Sequence, residues 1–211
     1  MRWVRPLVFA TYLYGGMYKL SYYIINAITL YRLTVTPLLG FLAVDHQLGL
    51  FKWLLAVSFF TDAIDGYLSR RYKVTSILGS KLDSIADDLT ITAAIVGILV
   101  FKPELIRHEL VLVGVLLGLF ILQATVALIR YRKMTSFHTY MAKIAAVSQG
   151  IFLLMLFFLP EPPYAAFYIA AIITIFDLLE EIILVLILPR WQANVKGLYW
   201  LNKKTNQKDH H

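Results

Sequence analysis

"GLFKWLLAVSFFTDAIDGYLSRRYKVTSILGSKLDSIADDLTITAAIVGILVF", residues 49–101, sets two apolar runs, 49–68 and 84–101, on either side of a charged stretch. Between positions 61 and 88 that stretch holds five aspartates and four basic side chains. A membrane crossing needs roughly 20 mostly apolar residues. Working outward, further runs of this kind occur at 24–44, 108–130, 141–159 and 164–188. The chain is 59% hydrophobic over 211 residues, one domain's worth of a composition far from that of a water-soluble globule. No alternating strand pattern appears, and backbone in lipid must satisfy its own hydrogen bonds, so the runs read as helices. The fold expected is an all-α polytopic membrane protein with about six transmembrane helices.

The basic residues set its orientation. Arg2, Arg5, Lys19, Arg32, the Arg70–Lys81 cluster, Arg130, Arg132, Lys133, Lys143 and the tail from Arg190 to Lys208 fall on one side, against Lys52, Lys102 and Arg107 on the other. The positive-inside rule then puts both termini and the aspartate-rich stretch in the cytoplasm. A net charge of +7 suits anionic lipid heads, with no nucleic-acid partner implied. The absence of cysteine excludes disulfides and thiolate metal sites. Residues 1–23 interleave aromatic and basic side chains around a short apolar run, which suggests an interfacial amphipathic helix more than a signal peptide. Three segments are expected: that helix at 1–23, a six-helix domain at 24–188, and a basic cytoplasmic tail at 189–211.

Single charges in a loop ordinarily solvate or pair with their neighbours. Spacing argues against that reading here. Asp62 and Asp65 are three apart at the end of the second run, and Asp83 and Asp87 four apart at the start of the third. Residues three or four apart share a helix face. Two antiparallel helices joined by a 69–80 turn would aim all four carboxylates at one point near the membrane's edge. Uncompensated, such a cluster is prohibitive. Oxygen-only ligands suit the hard cations Mg²⁺ or Mn²⁺, and four acids suffice for two ions about 4 Å apart, an arrangement that supports in-line phosphoryl displacement. The neighbours fit a phosphate substrate. Gly66 and Gly79 let a nucleotide approach the backbone closely, Arg70 can fork onto a diphosphate, and the start of the third helix offers free N–H groups.

The pattern Asp62-x-x-Asp65-Gly66-x-x-Ser69-Arg70, eight residues, Gly79-x-x-x-Asp83-x-x-x-Asp87 resembles the motif of the class I CDP-alcohol phosphotransferases (CDP-alcohol phosphatidyltransferases), D-x-x-D-G-x-x-A-R-x8-G-x3-D-x3-D. Ser69 replaces a small alanine, a mild change. Asn26, Thr29, Arg32 and Pro37 resemble the family's first-span N-x-x-T-x-x-R segment, and the resemblance covers about residues 24–188. It implies transfer of a phosphatidyl group from CDP-diacylglycerol to an alcohol with release of CMP, in phospholipid biosynthesis. It also implies two Mg²⁺ or Mn²⁺ ions, a homodimer and a bacterial inner (cell) membrane location. Asp62, Asp65 and Asp83 would hold metal, and Asp87 would complete the second ion's shell and act as general base. Asp62, Gly66, Ser69, Arg70, Gly79 and Asp83 would contact the CDP.

The acceptor is less sharply encoded. The branch making phosphatidylglycerophosphate or cardiolipin opens its fifth span with G-K-x-K-T-x-x-Q. Here Lys143 and Gln149 are kept, while Ala145 and Ala146 replace the second lysine and the threonine. That branch also carries Lys after the last aspartate, where this chain has Asp88, and an acid–arginine pair in the fourth span that "GVLLGLFILQATVALIR" lacks. The phosphatidylserine-type branch expects a Phe-Gly that "DDLTITAAIV" does not contain. Lys143, Gln149, Arg130 and Arg132 are the acceptor-binding candidates, and they favour glycerol phosphate or phosphatidylglycerol. His138 is expected at the interface. Asp177, Glu180 and Glu181 are costly inside a span, and are expected to pair with Arg32 or the basic collar around Arg130 more than to line a cavity. Two alternatives stay open. One is head-group transfer from a CDP-amino-alcohol to diacylglycerol; the other is a cation transporter, although transporter sites lie nearer mid-membrane at broken helices.

Overall fold

A computed structural model of the chain describes residues 27–72, 77–133, 137, 139–190, 192 and 195–198, and among them the secondary structure is entirely helical. Seven helices follow in order: α1 at Ala27–Val44, α2 at Leu48–Tyr72, α3 at Ile77–Phe101, α4 at Pro103–His108, α5 at Leu110–Tyr131, α6 at Tyr140–Phe158 and α7 at Tyr164–Ile187. The chain forms two compact units, Met1–Pro103 and Glu104–His211. The expected helix over 1–23 and most of the expected tail lie outside the described residues.

Three of the helices, α1, α5 and α6, are apolar and long enough to cross a membrane. The others of similar length, α2, α3 and α7, each carry two or three Asp or Glu residues. Burial in α5 runs opposite to that of a water-soluble helix. Gln123 and Ala127 face inward, while Val111 and Ile129 are 82% and 78% exposed. Apolar surface turned outward with a polar residue inside is what lipid as solvent selects.

In the first unit each helix buries one stripe. On α1 the stripe runs Thr29, Arg32, Thr36, Leu39 and Ala43; on α2 it runs Phe51, Leu55, Ser58 and Asp65; on α3 it runs Ala86, Thr90, Ala93 and Ala94. These are helical spacings of three, four and seven. The stripes are apolar at one end, where the Phe51 and Phe101 rings lie 5.2 Å apart, and polar at the other. There Thr36 and Thr90 hydroxyls sit 3.5 Å apart. The α1–α2 turn closes with His46 in the left-handed region (φ 57°), its N–H on the Ala43 carbonyl and that of Gln47 on the Leu42 carbonyl. This pair of bonds is the Schellman ending.

Two features differ from the sequence expectation. The 69–80 turn is shorter, because α2 continues to Tyr72 and α3 begins at Ile77. Charged residues beyond the apolar run extend the helix readily, since straight-chain side chains lose little freedom there. The short α4 was also unforeseen. Pro103 opens it, Glu104 sits in its first turn, and Arg107 and His108 in its last, all favourable to the helix dipole.

In the second unit α7 packs on both α5 and α6. The chain beyond α7 returns to its end, where Val195 joins Ala127, Phe137, Leu184, Val185 and Leu188 in a buried cluster. Gly197 makes that return possible. Its φ is +135°, and a Cβ there would stand 2.9 Å from Glu180 Oε1, the atom that accepts the Leu198 N–H at 3.0 Å. Gly197→Ala is therefore expected to destabilise the protein by about 1–3 kcal/mol through backbone strain. A lower thermal midpoint in detergent would show it, and an unchanged midpoint would show that the bend at Gly197 needs no glycine.

Candidate active site

The polar end of the first unit is organised around one arginine. Arg32, 2% exposed, donates from Nη1 to Asp62 Oδ1 at 2.7 Å and from Nη2 to Asp87 Oδ1. Asp65 Oδ2 lies 3.9 Å from Nη1. Asp62 and Asp87 are thus held by the two terminal nitrogens of one guanidinium. Three of the four predicted carboxylates thus meet at one point, contributed by α2 and α3 as their spacing requires. Asp62 and Asp65 sit one turn apart on the α2 face that continues the Phe51–Leu55–Ser58 stripe. Asp87 follows the buried Ala86 on α3.

The cluster has a closed side and an open side. Asp65 is 4% exposed at its side chain, whereas Asp62 and Asp87 are 42% and 45% exposed. Arg32 and Asp65 form the floor. Asp62 and Asp87 rise to the surface, where a soluble or lipid-borne group can reach them.

Gly66 follows Asp65 on α2 and is partly exposed. Ser69 and Arg70 fall in the last turns of α2, Gly79 in the first turn of α3 and Asp83 in its second. The side chains of Ser69, Arg70 and Asp83 lie outside those described. Asn26 and His138 lie outside the described residues altogether, while Thr29 and Pro37 are on α1.

The acceptor candidates belong to the second unit and take ordinary positions there. Lys143 is exposed on α6, its Nζ 5.2 Å above the centre of the Tyr140 ring. Gln149 donates to Thr174 Oγ1 at 2.7 Å and so joins α6 to α7. The Arg130 guanidinium points at the Leu188 carbonyl, at 3.3 and 3.4 Å, and Arg132 is exposed in a left-handed cap. Two of the α7 acids accept from neutral donors: Glu181 Oε2 from Gln123 at 2.6 Å and Glu180 Oε1 from the Leu198 N–H at 3.0 Å. Arg32, one of the partners expected for them, is engaged by the α2 and α3 aspartates instead.

What the sequence reading missed is the place of Arg32 at the centre of the carboxylates. The signal was available. An arginine within an apolar span is costly unless it meets carboxylates, and α2 and α3 offer several. Chemically, carboxylate oxygens are the donor type that a hard divalent cation takes, but with Arg32 among them no three acidic side chains of the described residues are arranged around a common metal position.

Comparison with known proteins gives this geometry a setting. The family model described as CDP-alcohol phosphatidyltransferase matches residues 22–180. Over 84 residues the chain is 29% identical to the cardiolipin synthase (CMP-forming) of Homo sapiens, a match covering 39% of this chain and 28% of that protein. Over 66 residues it is 36% identical to the CDP-diacylglycerol–inositol 3-phosphatidyltransferase of Saccharomyces cerevisiae, covering 31% of this chain and 30% of that protein. The matched stretches thus span under a third of either relative's length. No solved structure matches the chain significantly. The family match takes in α1, α2 and α3 whole, including every carboxylate gathered at Arg32, and extends into α7; the chain belongs to the CDP-alcohol phosphatidyltransferase family.

Proposed function

We propose that the protein is an integral membrane enzyme of phospholipid biosynthesis that transfers a phosphatidyl group from CDP-diacylglycerol to an alcohol and releases CMP. The observation that carries this reading is the convergence of Asp62, Asp65 and Asp87 within the family-matched region. On the same reading α1, α2, α3, α5, α6 and α7 are the six spans, the carboxylate cluster faces the cytoplasm of a bacterial cell, and the working form is a homodimer. Light scattering in mild detergent tests the last point; an active monomer would count against it.

The division between floor and rim suggests the roles. Asp62, Asp65, Asp83 and Asp87 would hold one or two Mg²⁺ or Mn²⁺ ions, which when bound neutralise charge on the diphosphate and acidify the acceptor hydroxyl. Asp65, buried, anchors the set. Gly66 and Gly79 leave room for the nucleotide, and Arg70 forks onto the diphosphate alongside Ser69. Asp87, on the open side, takes the proton of the acceptor hydroxyl. The freed oxygen attacks the phosphorus carrying the diacylglycerol, and the bond from that phosphorus to CMP breaks.

For the acceptor, Lys143 and the similarity to a cardiolipin synthase favour an anionic alcohol, phosphatidylglycerol or glycerol phosphate. The similarity to an inositol phosphatidyltransferase supports a second reading, a neutral polyol. Lys143→Ala is expected to raise the KM for an anionic acceptor far more than that for CDP-diacylglycerol, with kcat little changed. That pattern means lost binding with the chemistry intact. Equal effects on both substrates would remove Lys143 from the acceptor site.

The deciding assay measures CMP released from CDP-diacylglycerol by the purified protein. The panel contains phosphatidylglycerol, glycerol phosphate, inositol and serine. Fastest turnover with an anionic acceptor supports the first reading, and inositol turning over fastest supports the second. No CMP with any acceptor overturns the phosphatidyl-transfer reading.

A further inference from the structure

Arg32 is engaged in a way that bears on how the cluster loads. Its Nη1 and Nη2 take Asp62 Oδ1 and Asp87 Oδ1, one carboxylate from α2 and one from α3. A cation bridging α2 and α3 at this point draws on the same two groups. Guanidinium and divalent cation repel each other strongly across a few ångströms in a partly buried setting. Both cannot hold the same oxygens at full strength.

We propose that Arg32 is an internal counter-ion: it holds the carboxylates together in the metal-free protein and yields Asp62 and Asp87 when a divalent cation binds. This rests on the reading of the cluster as the metal site. The buried position of Arg32, 2% exposed, fixes the guanidinium beside the cluster as solvent cations are not. Arg32 brings one positive charge to the three carboxylates it meets, and a divalent cation brings two. Linkage then requires two consequences. Weakening the arginine's hold on the carboxylates must tighten cation binding, and the stability Arg32 confers must shrink once the cation is bound. In this role Arg32 is a positioning residue.

The test uses the full chain in detergent without substrate. Mn²⁺ binding is titrated by the loss of the free-ion EPR signal, and thermal unfolding is followed with and without saturating Mn²⁺, for wild type, Arg32→Lys and Arg32→Gln. Without metal, both variants are expected to melt below wild type, Gln lowest. Arg32→Gln should bind Mn²⁺ about tenfold more tightly or better, the direction that removing a repelling charge dictates. Arg32→Lys keeps the charge but loses the two-pronged fork, so it should gain several-fold and serves if the Gln variant does not fold. In saturating Mn²⁺ the melting gap to wild type should narrow. Unchanged or weaker Mn²⁺ binding in the variants, a gap that persists undiminished, or no saturable binding to any of the three proteins overturns the exchange. CMP release plays no part in these readings. A protein that exchanges Arg32 for Mn²⁺ yet releases no CMP refutes the proposed reaction alone, and normal CMP release with Mn²⁺ affinity indifferent to Arg32 refutes the exchange alone.

Discussion

Asp65→Asn is expected to lower CMP release by about two orders of magnitude or more, in a protein that still inserts and purifies. The substitution keeps the shape of the side chain and removes only its charge and one acceptor oxygen. Asp65 is the most deeply buried of the described carboxylates, 4% exposed beside Arg32, so no water-borne group can stand in for it. Asp62 and Asp87 keep their bonds to Arg32, and the stripe Phe51–Leu55–Ser58 still packs α2. The fold therefore survives while the anchor of the cluster is lost. Activity within about tenfold of wild type, equivalent to some 1.4 kcal/mol in the barrier, would show that Asp65 is structural. Loss of activity accompanied by loss of the folded protein would not distinguish the two roles, so thermal unfolding belongs in the same experiment.

Chelation of divalent cations is expected to abolish transfer, and added Mg²⁺ or Mn²⁺ to restore it. The reasoning is electrostatic. Arg32 alone balances one of the three carboxylates it meets, and a diphosphate brings further negative charge to the same place. A divalent cation shared between carboxylates and diphosphate offsets their repulsion most effectively at the edge of a low-dielectric medium. Calcium, larger and looser in its coordination, serves as a specificity control and should support turnover poorly. Full activity in excess chelator would sink the assignment of these aspartates as cation ligands and leave them as ion-pair partners of Arg32.

Much of this architecture was legible because its signals are local. A run such as 108–130 needs only length and apolarity to be read as a helix, and α5 occupies Leu110–Tyr131. The pairs Asp62–Asp65 and Asp83–Asp87 announce a shared face through spacing alone, because a helix turns every 3.6 residues. The short α4 was legible too, through Pro103, Glu104 and the basic residues at its end. It was missed because six residues fall below the length at which apolar periodicity speaks.

Residue pairing across the fold was a different matter. Arg32 lies 30 positions from Asp62 and 55 from Asp87, and the expectation from the sequence paired it with the α7 acids. Propensity and periodicity say which face of a helix is buried, and they are silent on which neighbour it meets. That choice followed from α1 presenting Thr29, Arg32 and Thr36 to the same end of the unit as Ser58, Asp65 and Thr90. Likewise, Gln123 reaches Glu181 and Gln149 reaches Thr174 because α7 packs on both α5 and α6. By itself, the sequence determined the long helices and the shared face of Asp62 and Asp65 on α2. Only the packing of α1 against α2 and α3 decided their partner, because a buried charge is satisfied by whatever the tertiary fold brings within about 3–4 Å of it.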